Sequence, residues 1–349
     1  MFNILRSNSF AVSRNHIDKL LYLSSTAIVN SALSLLERYL FSGKISASDL
    51  VRPPLFVLGH WRHGTTFLHN LLVQDPSHTC PRFYQVMFPG YFLLPGLDRV
   101  IDRMNVAVPL KTRPMDNVKF GMYEPWEDEH SMAALTGMSP YIRYMFPRTQ
   151  GREVNYRYPD FQSQAEQTRW EKTFVRFLKR LNLIENRNIV LKSPPHTARI
   201  KTLLKLFPEA KFIHIIRHPY DVFPSTPKMW RDTLSFSTLQ TVSQEEVVEI
   251  VLTTYEQIYR RYHQERSCIP QSNLIEIKFE DLEKDPIRML DLIYYHLNLR
   301  DFRSLYPRVS NYLSRIGRYH KSEYKLNKTM KKLIKNRWSI TFDTYRYGD

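Results

Sequence analysis

The stretch that most constrains this chain covers residues 54–72, PLFVLGHWRHGTTFLHNLL. Its pattern predicts a buried strand, a short loop and an amphipathic helix that begins at Gly-Thr-Thr. This order directs a helix N-terminus, several backbone N–H groups and two hydroxyls at one point, which is an arrangement that binds anions. A P-loop for a magnesium nucleotide ends in Gly-Lys-Ser/Thr, whereas here the cation, Arg62, precedes Gly64. The segment therefore predicts an anion site of another kind.

Three further apolar runs predict strands of the same sheet, at residues 188–193, 211–217 and 274–279. We predict helices at residues 64–72, 164–181, 197–206 and 286–297. Alternating strands and helices favour an α/β fold with a P-loop-like parallel sheet flanked by helices. Ligands of such sheets bind at the carboxyl ends of the strands. Because the loops that carry Arg62, Lys192 and Arg217 lie at such ends, we expect one cationic rim there.

Two segments lie outside this pattern. Residues 83–160 are rich in Pro, Met and aromatic side chains, and we expect them to form a cap insertion over the site. Residues 1–50 form an N-terminal helical segment, in which residues 20–36 carry no charge but six Ser, Thr or Asn side chains. This run is short of the roughly 20 apolar residues of a spanning helix. We expect it to pack on the protein's own core, and peripheral contact with a membrane is the alternative. Residues 51–349 would form one domain.

The charge of the chain favours anionic partners. Its 349 residues include 50 basic and 34 acidic side chains, a formal net charge of +16. Nucleotides, sulfated glycans, nucleic acid and anionic membranes all suit this excess. No recognisable DNA- or RNA-binding motif accompanies it, so we expect no nucleic-acid partner. Cys80 and Cys268 suit neither a zinc site nor a disulfide framework, and no secretory signal pattern is seen. We therefore expect free thiols and a cytoplasmic location.

Two motifs together resemble the nucleotide-binding motifs of the sulfotransferases. GHWRHGTTFLHNLL is similar to the family's 5′-phosphosulfate loop, in which Lys or Arg precedes Ser-Gly-Thr-Thr. IRHPYDVFPST is similar to its 3′-phosphate motif, an arginine at a strand end with a serine eight residues later. LKSPPHTARI, MDNVKFGMYEPWEDEH and the tail HKSEY…W…FD resemble the broad bacterial branch, so the resemblance runs from about residue 53 to the C-terminus. It implies transfer of a sulfuryl group from 3′-phosphoadenosine 5′-phosphosulfate (PAPS) to an acceptor hydroxyl or amine, with no metal.

The resemblance implies a role for each residue of the first motif. Arg62, the backbone of His63 and Gly64, and the hydroxyls of Thr65 and Thr66 would hold the 5′-phosphosulfate. Arg62 would also stabilise the charge that develops on the bridging oxygen as the sulfuryl group leaves. His63 stands where the family usually has Ser or Thr. A hydroxyl contact is therefore either lost or replaced by an imidazole.

The second motif supplies the other end of the donor. Arg217 and Ser225 have the spacing of the family's 3′-phosphate site. Arginine suits forked contacts with phosphate oxygens. An ordinary surface charge at a strand end is the alternative for Arg217.

Two further residues lie close to the first loop in the predicted sheet. Lys192 ends a strand and would be a second cation on the transferring group, the alternative being a solvated lysine. His196 would orient a group or shuttle a proton, and a histidine at a helix start with no catalytic task is the other interpretation.

Activation of the acceptor requires a base close to the sulfur. The segment PWEDEH offers candidates, of which the resemblance favours Glu127 and then Glu129. Acidic residues are also favoured in the first turn of a helix by its dipole, with no catalytic role. His60 and His130 remain rival bases.

Other functions fit part of this pattern. A P-loop kinase would need Gly-Lys-Ser/Thr and an acidic magnesium ligand at a strand end, where this chain has Lys192-Ser193 and Arg217-His218. A non-catalytic module that binds a phosphorylated or sulfated ligand shares the cationic rim but needs no base. The aromatic cap suits a sugar, a phenol or a lipid as acceptor. The sequence predicts a PAPS-dependent sulfotransferase and leaves the acceptor open.

Overall fold

The protein is described by a computed structural model that covers residues 1–107, 112–113, 118–148, 161, 163–317 and 326–348. Its strands are β1 (Leu55–Leu58), β2 (His78–Thr79), β3 (Asn188–Lys192), β4 (Lys211–Ile216) and β5 (Leu274–Lys278). Its α-helices are α1 (Phe2–Ser7), α2 (Ile17–Ala47), α3 (Thr65–Leu72), α4 (Phe83–Met87), α5 (Leu97–Ala107), α6 (Glu129–Thr136), α7 (Gln164–Ile184), α8 (Ile200–Leu206), α9 (Pro219–Val222), α10 (Ser225–Ser237), α11 (Gln244–Glu265), α12 (Phe279–Lys284), α13 (Pro286–His296), α14 (Tyr306–Ile316), α15 (Lys328–Arg337) and α16 (Ser339–Tyr345). Short 3-10 helices are Arg14–His16, Pro140–Tyr144, Pro194–Ala198, Arg266–Cys268, Gln271–Asn273 and Phe302–Leu305.

The five strands form one parallel sheet in the order β2-β3-β1-β4-β5. In its register Val57 of β1 lies beside Lys192 of β3, and Leu58 lies beside His214 of β4. The loops that follow β1, β3 and β4 therefore leave the same edge of the sheet. This confirms the predicted P-loop-like parallel sheet and the common edge on which the cationic rim depends.

Both faces of the sheet are buried, which explains why its central strands are almost continuously apolar. Leu55 and Val57 face one core cluster, which includes side chains of α3, α13 and α14. Phe56 stacks on Phe212, with ring centroids 5.4 Å apart. Because successive side chains of a strand point to opposite faces, this stack belongs to the other face of the sheet.

Four of the strands were predicted to within about a residue, but two local predictions differ from the structure. β2 was missed because two residues carry no periodic signal. The helix predicted at residues 197–206 is instead a 3-10 helix, Pro194–Ala198, followed by α8. Proline fits the first turn of a helix, so Pro194 and Pro195 start the 3-10 segment rather than delay it.

The chain divides into two compact units. One comprises residues 1–51, 81–186 and 228–247, so it joins the N-terminal segment to most of the region predicted as a cap. The other comprises residues 52–80, 187–227 and 248–349 and contains the sheet. Residues 115–117 and 320–324 of the family-like segments, and residues 149–160 at the end of the predicted cap, lie outside the described residues.

Candidate active site

The loop after β1 is held in one conformation by close contacts within the sheet unit. Gly59 N–H donates to Thr197 Oγ1 at 2.8 Å, and a Cβ on Gly59 would lie 2.6 Å from the carbonyl oxygen of Ile215. Gly64 has a φ of 85°, and a Cβ there would lie 2.1 Å from the ring of Phe279. Both glycines are therefore required by space, and Gly64 also by its left-handed backbone.

Arg62 is the non-glycine residue of this loop with a positive φ, at 69°. Such a conformation costs on the order of 1 kcal/mol or more for a residue with a side chain, and it persists only where the surroundings hold it. It directs the guanidinium towards α10, where Nε donates to Ser225 Oγ at 3.2 Å. The two residues are 163 positions apart in the chain.

Arg217 joins the same cluster from the end of β4. Its Nη1 donates to the carbonyl oxygen of Arg62 at 3.2 Å, and its guanidinium lies over the ring of Phe279, 4.6 Å from the centroid. Its Nε is buried and has no hydrogen-bond partner among the described residues. The structure thus brings Arg62, Arg217 and Ser225 together, and a buried guanidinium N–H is left available to an anionic ligand.

The helix that follows the loop completes this cluster. α3 begins at Thr65, which is buried, and Thr66 is partly exposed. Leu68 N–H donates to the carbonyl oxygen of Gly64, which is the first bond of the helix. The amides before it have no acceptor within the helix, since no turn precedes them. They and the two hydroxyls lie beside Arg62 in the chain.

The side chain of His63 lies in the core of the sheet unit. Its Nδ1 is 3.0 Å from the hydroxyl of Tyr259 and 3.3 Å from the carbonyl oxygen of Ile215. Burial, and then the neighbouring His60 and His214, hold the pKa of His63 well below its usual value. The neutral imidazole therefore packs against buried tyrosines in the core of the sheet unit.

His60, one of the rival bases, is buried as well. Its Nδ1 lies 3.0 Å from the carbonyl oxygen of Trp61, and burial lowers its pKa to about 3. A group with this pKa is a poor proton acceptor near neutral pH, because an efficient base titrates close to the working pH. The geometry disfavours His60 as the base.

Lys192 and His196 both lie in the interior of the sheet unit. Lys192 is 1% exposed at the end of β3, so its interpretation as a solvated lysine is wrong. His196 is fully buried, and its ring packs edge-to-face on Phe56 with centroids 5.3 Å apart. Lys192 thus lies one strand away from the loop after β1.

The predicted carboxylates belong to the other unit. α6 begins at Glu129, so the PWEDEH segment is a helix start as expected. Glu127 lies two residues before the helix and accepts a hydrogen bond from the hydroxyl of Tyr141, whereas Glu129 is fully buried. Burial, and then the nearby Glu127, raise the pKa of Tyr141 well above its usual value, so this phenol stays a donor. His130 packs edge-to-face on Tyr141, with ring centroids 4.6 Å apart.

Sequence reasoning missed two residues that shape the site. Phe279 supports both Gly64 and the guanidinium of Arg217, and Thr197 anchors Gly59. Phe279 is the last residue of the strand predicted at residues 274–279 and therefore lies at the carboxyl end of the predicted sheet. Its position at the end of a predicted strand was the sequence signal that could have identified Phe279.

Comparison with known proteins agrees with this geometry. The model of the "Sulfotransferase family" matches residues 53–303. The chain is 33% identical over 344 residues to the omega-hydroxy-beta-dihydromenaquinone-9 sulfotransferase Stf3 of Mycobacterium bovis, covering 99% of this chain and 88% of the relative. The protein of the same name from Mycobacterium tuberculosis matches equally well.

Two solved structures share the fold. Sulfotransferase STF9 from Mycobacterium avium has a TM-score of 0.74 and 18% identity, and the match covers 98% of this chain and 89% of that one. Sulfotransferase STF1 from Mycobacterium tuberculosis has a TM-score of 0.70 and 18% identity, with 96% and 90% covered. With the family model and the close relative, these matches show that the chain belongs to the sulfotransferase family and is a sulfotransferase enzyme.

Proposed function

We propose that this sulfotransferase uses PAPS as its donor and holds it at the cluster of Arg62, Arg217 and Ser225. The observation that carries the proposal is the meeting of these side chains at the carboxyl edge of a parallel sheet, with Arg217 Nε buried and lacking a partner among the described residues. Arg217 and Ser225 bind the 3′-phosphate. Arg62 and the start of α3, with Thr65 and Thr66, bind the 5′-phosphosulfate.

The reaction is a displacement at sulfur. The acceptor oxygen forms a bond to sulfur while the bond from sulfur to the bridging phosphate oxygen breaks, and the acceptor proton passes to a base. Adenosine 3′,5′-bisphosphate leaves with the negative charge of the bridging oxygen. Arg62 stabilises that charge, and the ammonium of Lys192 assists on the transferring group.

Glu127 is the proposed base, with Glu129 second. Its carboxylate accepts a hydrogen bond from the hydroxyl of Tyr141, which holds it in one orientation. Glu127→Gln should lower kcat by about a hundredfold or more, since general-base catalysis contributes 10²–10⁴. Affinity for adenosine 3′,5′-bisphosphate should be unchanged. Tyr141→Phe removes the orienting hydrogen bond but keeps the carboxylate, so it should cost much less, and an unchanged kcat in Glu127→Gln would exclude Glu127 as the base.

The proposed acceptor is a hydroxyl on an apolar, lipid-like molecule. The support is the relative with 33% identity over 99% of this chain, whose name states an omega-hydroxylated menaquinone derivative as its substrate. A hydroxyl at the end of an apolar chain is a weak acid, so its attack requires the base proposed above.

The test is incubation of the protein with PAPS and a panel of acceptors, followed by mass spectrometry for products that gain one sulfuryl group. The panel contains an omega-hydroxylated polyprenyl quinone, a simple phenol and a sugar. Sulfation of the polyprenyl alcohol in preference to the others supports the lipid acceptor, and preference for the phenol or the sugar contradicts it. Release of adenosine 3′,5′-bisphosphate identifies the donor, and its absence in an active preparation contradicts PAPS.

A further inference from the structure

The helix α2 exposes an apolar surface along most of its length. Of its 31 residues only Glu37 and Ile45 are buried. Between residues 21 and 40 of this helix, eight large apolar side chains are each at least 47% exposed and form its outward face: Leu21, Tyr22, Ile28, Val29, Leu35, Leu36, Tyr39 and Leu40. They recur at helical spacing over about 28 Å, at 1.5 Å per residue. Exposed apolar surfaces of this extent mark a site of contact with another apolar phase or partner.

The opposite side of α2 is fastened to its own unit by polar as well as apolar side chains. Asn30 Oδ1 accepts from the hydroxyl of Tyr91 at 2.8 Å. The carboxylate of Glu37 pairs with Arg180 at 2.6 Å and accepts from the backbone N–H of Leu93 at 2.7 Å. The outward apolar face is thus additional to the apolar side chains that α2 turns inward, which include Leu23 and Ile45.

Close packing at Ser34 shows that this side of α2 is attached tightly. A Cβ on Gly90 would lie 1.8 Å from Ser34 Oγ, so the helix and the loop at Gly90 approach to backbone distance. The segment before α2 is held too, since Ser13 N–H donates to the carbonyl oxygen of Leu239 at 2.9 Å. The helix is therefore an integral part of its unit, and only the outward face is free to meet a partner.

The contacts that attach α2 to its unit favour a helix that lies on a membrane over one that crosses it. Residues 14–47 form a helical stretch whose best window has a mean hydropathy of 1.3, which is apolar enough for a span by composition. A spanning position would surround α2 with lipid, and Asn30 and the Glu37–Arg180 pair would enter hydrocarbon or lose their contacts. Polar and charged groups at that depth are costly. A position in the plane of the interface keeps them within the protein.

The charges around the outward face favour an anionic surface. Residues 1–47 contain five basic and two acidic side chains. Of the two acids, Glu37 is buried against Arg180, while the basic Arg14, Arg38 and Lys44 are exposed. Each such cation near an anionic leaflet contributes to attraction, which salt weakens. A second copy of the same face would add cations to cations, so a bilayer is the better partner.

We propose that the outward face of α2 lies in the interface of a membrane that contains anionic lipid, parallel to its plane, and holds the enzyme there as a peripheral protein. This docking needs neither donor nor acceptor, so it stands or falls independently of the sulfuryl transfer.

The experiment measures binding of the full chain to vesicles by flotation, without PAPS. Phosphatidylcholine vesicles are compared with vesicles that also contain phosphatidylglycerol. The protein should bind the anionic vesicles, and high salt should weaken the binding. The triple variant Ile28→Ser, Leu35→Ser, Tyr39→Ser should lower the partition coefficient by about tenfold or more, given the apolar area removed. Leu292→Ser with Tyr295→Ser, on exposed positions of α13, is the matched control and should bind like the wild type.

A second variant tests membrane binding even if the triple variant folds poorly. Arg38→Glu with Lys44→Glu leaves the apolar face intact and should reduce binding to the anionic vesicles by about tenfold, as expected for reversal of two interfacial cations. Wild-type binding to vesicles that does not change with salt or with the charge of the lipid would overturn the anionic-membrane proposal. So would a wild-type dimer, seen by sedimentation and abolished by the triple variant, with no vesicle binding. Resistance to carbonate extraction would indicate a spanning helix instead.

Discussion

At the scale of single residues, the proposed donor site depends on three side chains that are distant in the chain and adjacent in space. Arg62 follows β1, Arg217 follows β4, and Ser225 begins α10. The contact of Arg62 with Ser225 links the loop proposed for the 5′-phosphosulfate to the motif proposed for the 3′-phosphate. Donor binding and charge stabilisation are therefore assigned to different members of one cluster.

Arg217→Ala should weaken adenosine 3′,5′-bisphosphate binding by about tenfold to a hundredfold, as loss of a charge-assisted hydrogen bond of roughly 1.5–3 kcal/mol implies. Calorimetry measures it. Arg308→Ala, on the exposed surface of α14, removes the same charge and should bind like the wild type. Near-wild-type affinity of the Arg217 variant would exclude the 3′-phosphate assignment.

Arg62→Ala should slow sulfuryl transfer more than it weakens adenosine 3′,5′-bisphosphate binding, because the charge that it stabilises develops only during transfer. A loss of about a hundredfold in kcat corresponds to removal of one such preorganised donor. Single-turnover rates and calorimetry on the same preparation give both quantities. Equal losses in rate and affinity would show that Arg62 acts in binding alone.

At the scale of elements, the junction of β1, its loop and α3 is the most constrained part of the sheet unit. It combines a positive φ at Arg62 and at Gly64 with close approach to β4 at Gly59. The register of β1 with β3 and β4 places the neighbouring loops at the same edge. The element supplies the geometry, and the side chains at its end supply the chemistry.

Gly64→Ala should destabilise the protein by about 2 kcal/mol or more, because its left-handed backbone is strained for alanine and the new Cβ would meet the ring of Phe279. Gly43→Ala is the matched control in the interior of α2, where a Cβ would meet nothing within 4 Å. Alanine should stabilise that helix by about 0.5–1 kcal/mol. Urea unfolding is measured for both variants, together with their binding of adenosine 3′,5′-bisphosphate. Equal stability of the two variants would contradict the constraint at Gly64.

At the scale of the whole molecule, buried histidines should make the fold sensitive to acid. For four histidines, burial is the main cause of a lowered pKa. The pKa is about 3 for His60 and about 4 for His263, and it lies below its usual value for His63 and His214. In the unfolded chain these groups titrate near pH 6.5. Below that pH the unfolded state binds protons that the folded state refuses, so stability falls as pH falls.

For His60, whose pKa is lowered to about 3, the expected loss of stability between pH 6.5 and about 4.5 is about 1.4 kcal/mol per pH unit, and the other buried histidines add losses of the same sign. Within this pH window the loss of stability comes from the histidines. Glu276 has its pKa lowered to about 2, so it reduces stability only below pH 4.5, the pKa that it has in the unfolded chain. Urea unfolding across this pH range measures the slope. His63→Ser should make the slope shallower. A stability that does not change between pH 6.5 and 4.5 would show that these imidazoles are not buried in solution.

The donor motifs were predictable because each is a local pattern with its own physical signature. A strand, a short loop and a helix start identify Arg62, Gly64 and Thr65 as an anion site. A strand end with a serine eight residues later identifies Arg217 and Ser225 by resemblance. The roles of Glu127 and Glu129 as bases stay predictions, since hydrogen bonding and burial describe their surroundings and not their chemistry.

The sequence by itself determined the parallel α/β fold and four of its five strands, since apolar periodicity is a local property, and motif spacing located the two halves of the proposed donor site. Only the tertiary structure decided that Arg62 touches Ser225, that Lys192 is buried and that the imidazole of His63 packs against Tyr259. It also decided which side of α2 faces outward, because the partners of its polar side lie far along the chain. Contacts of this kind depend on packing between distant segments, and no local pattern encodes them.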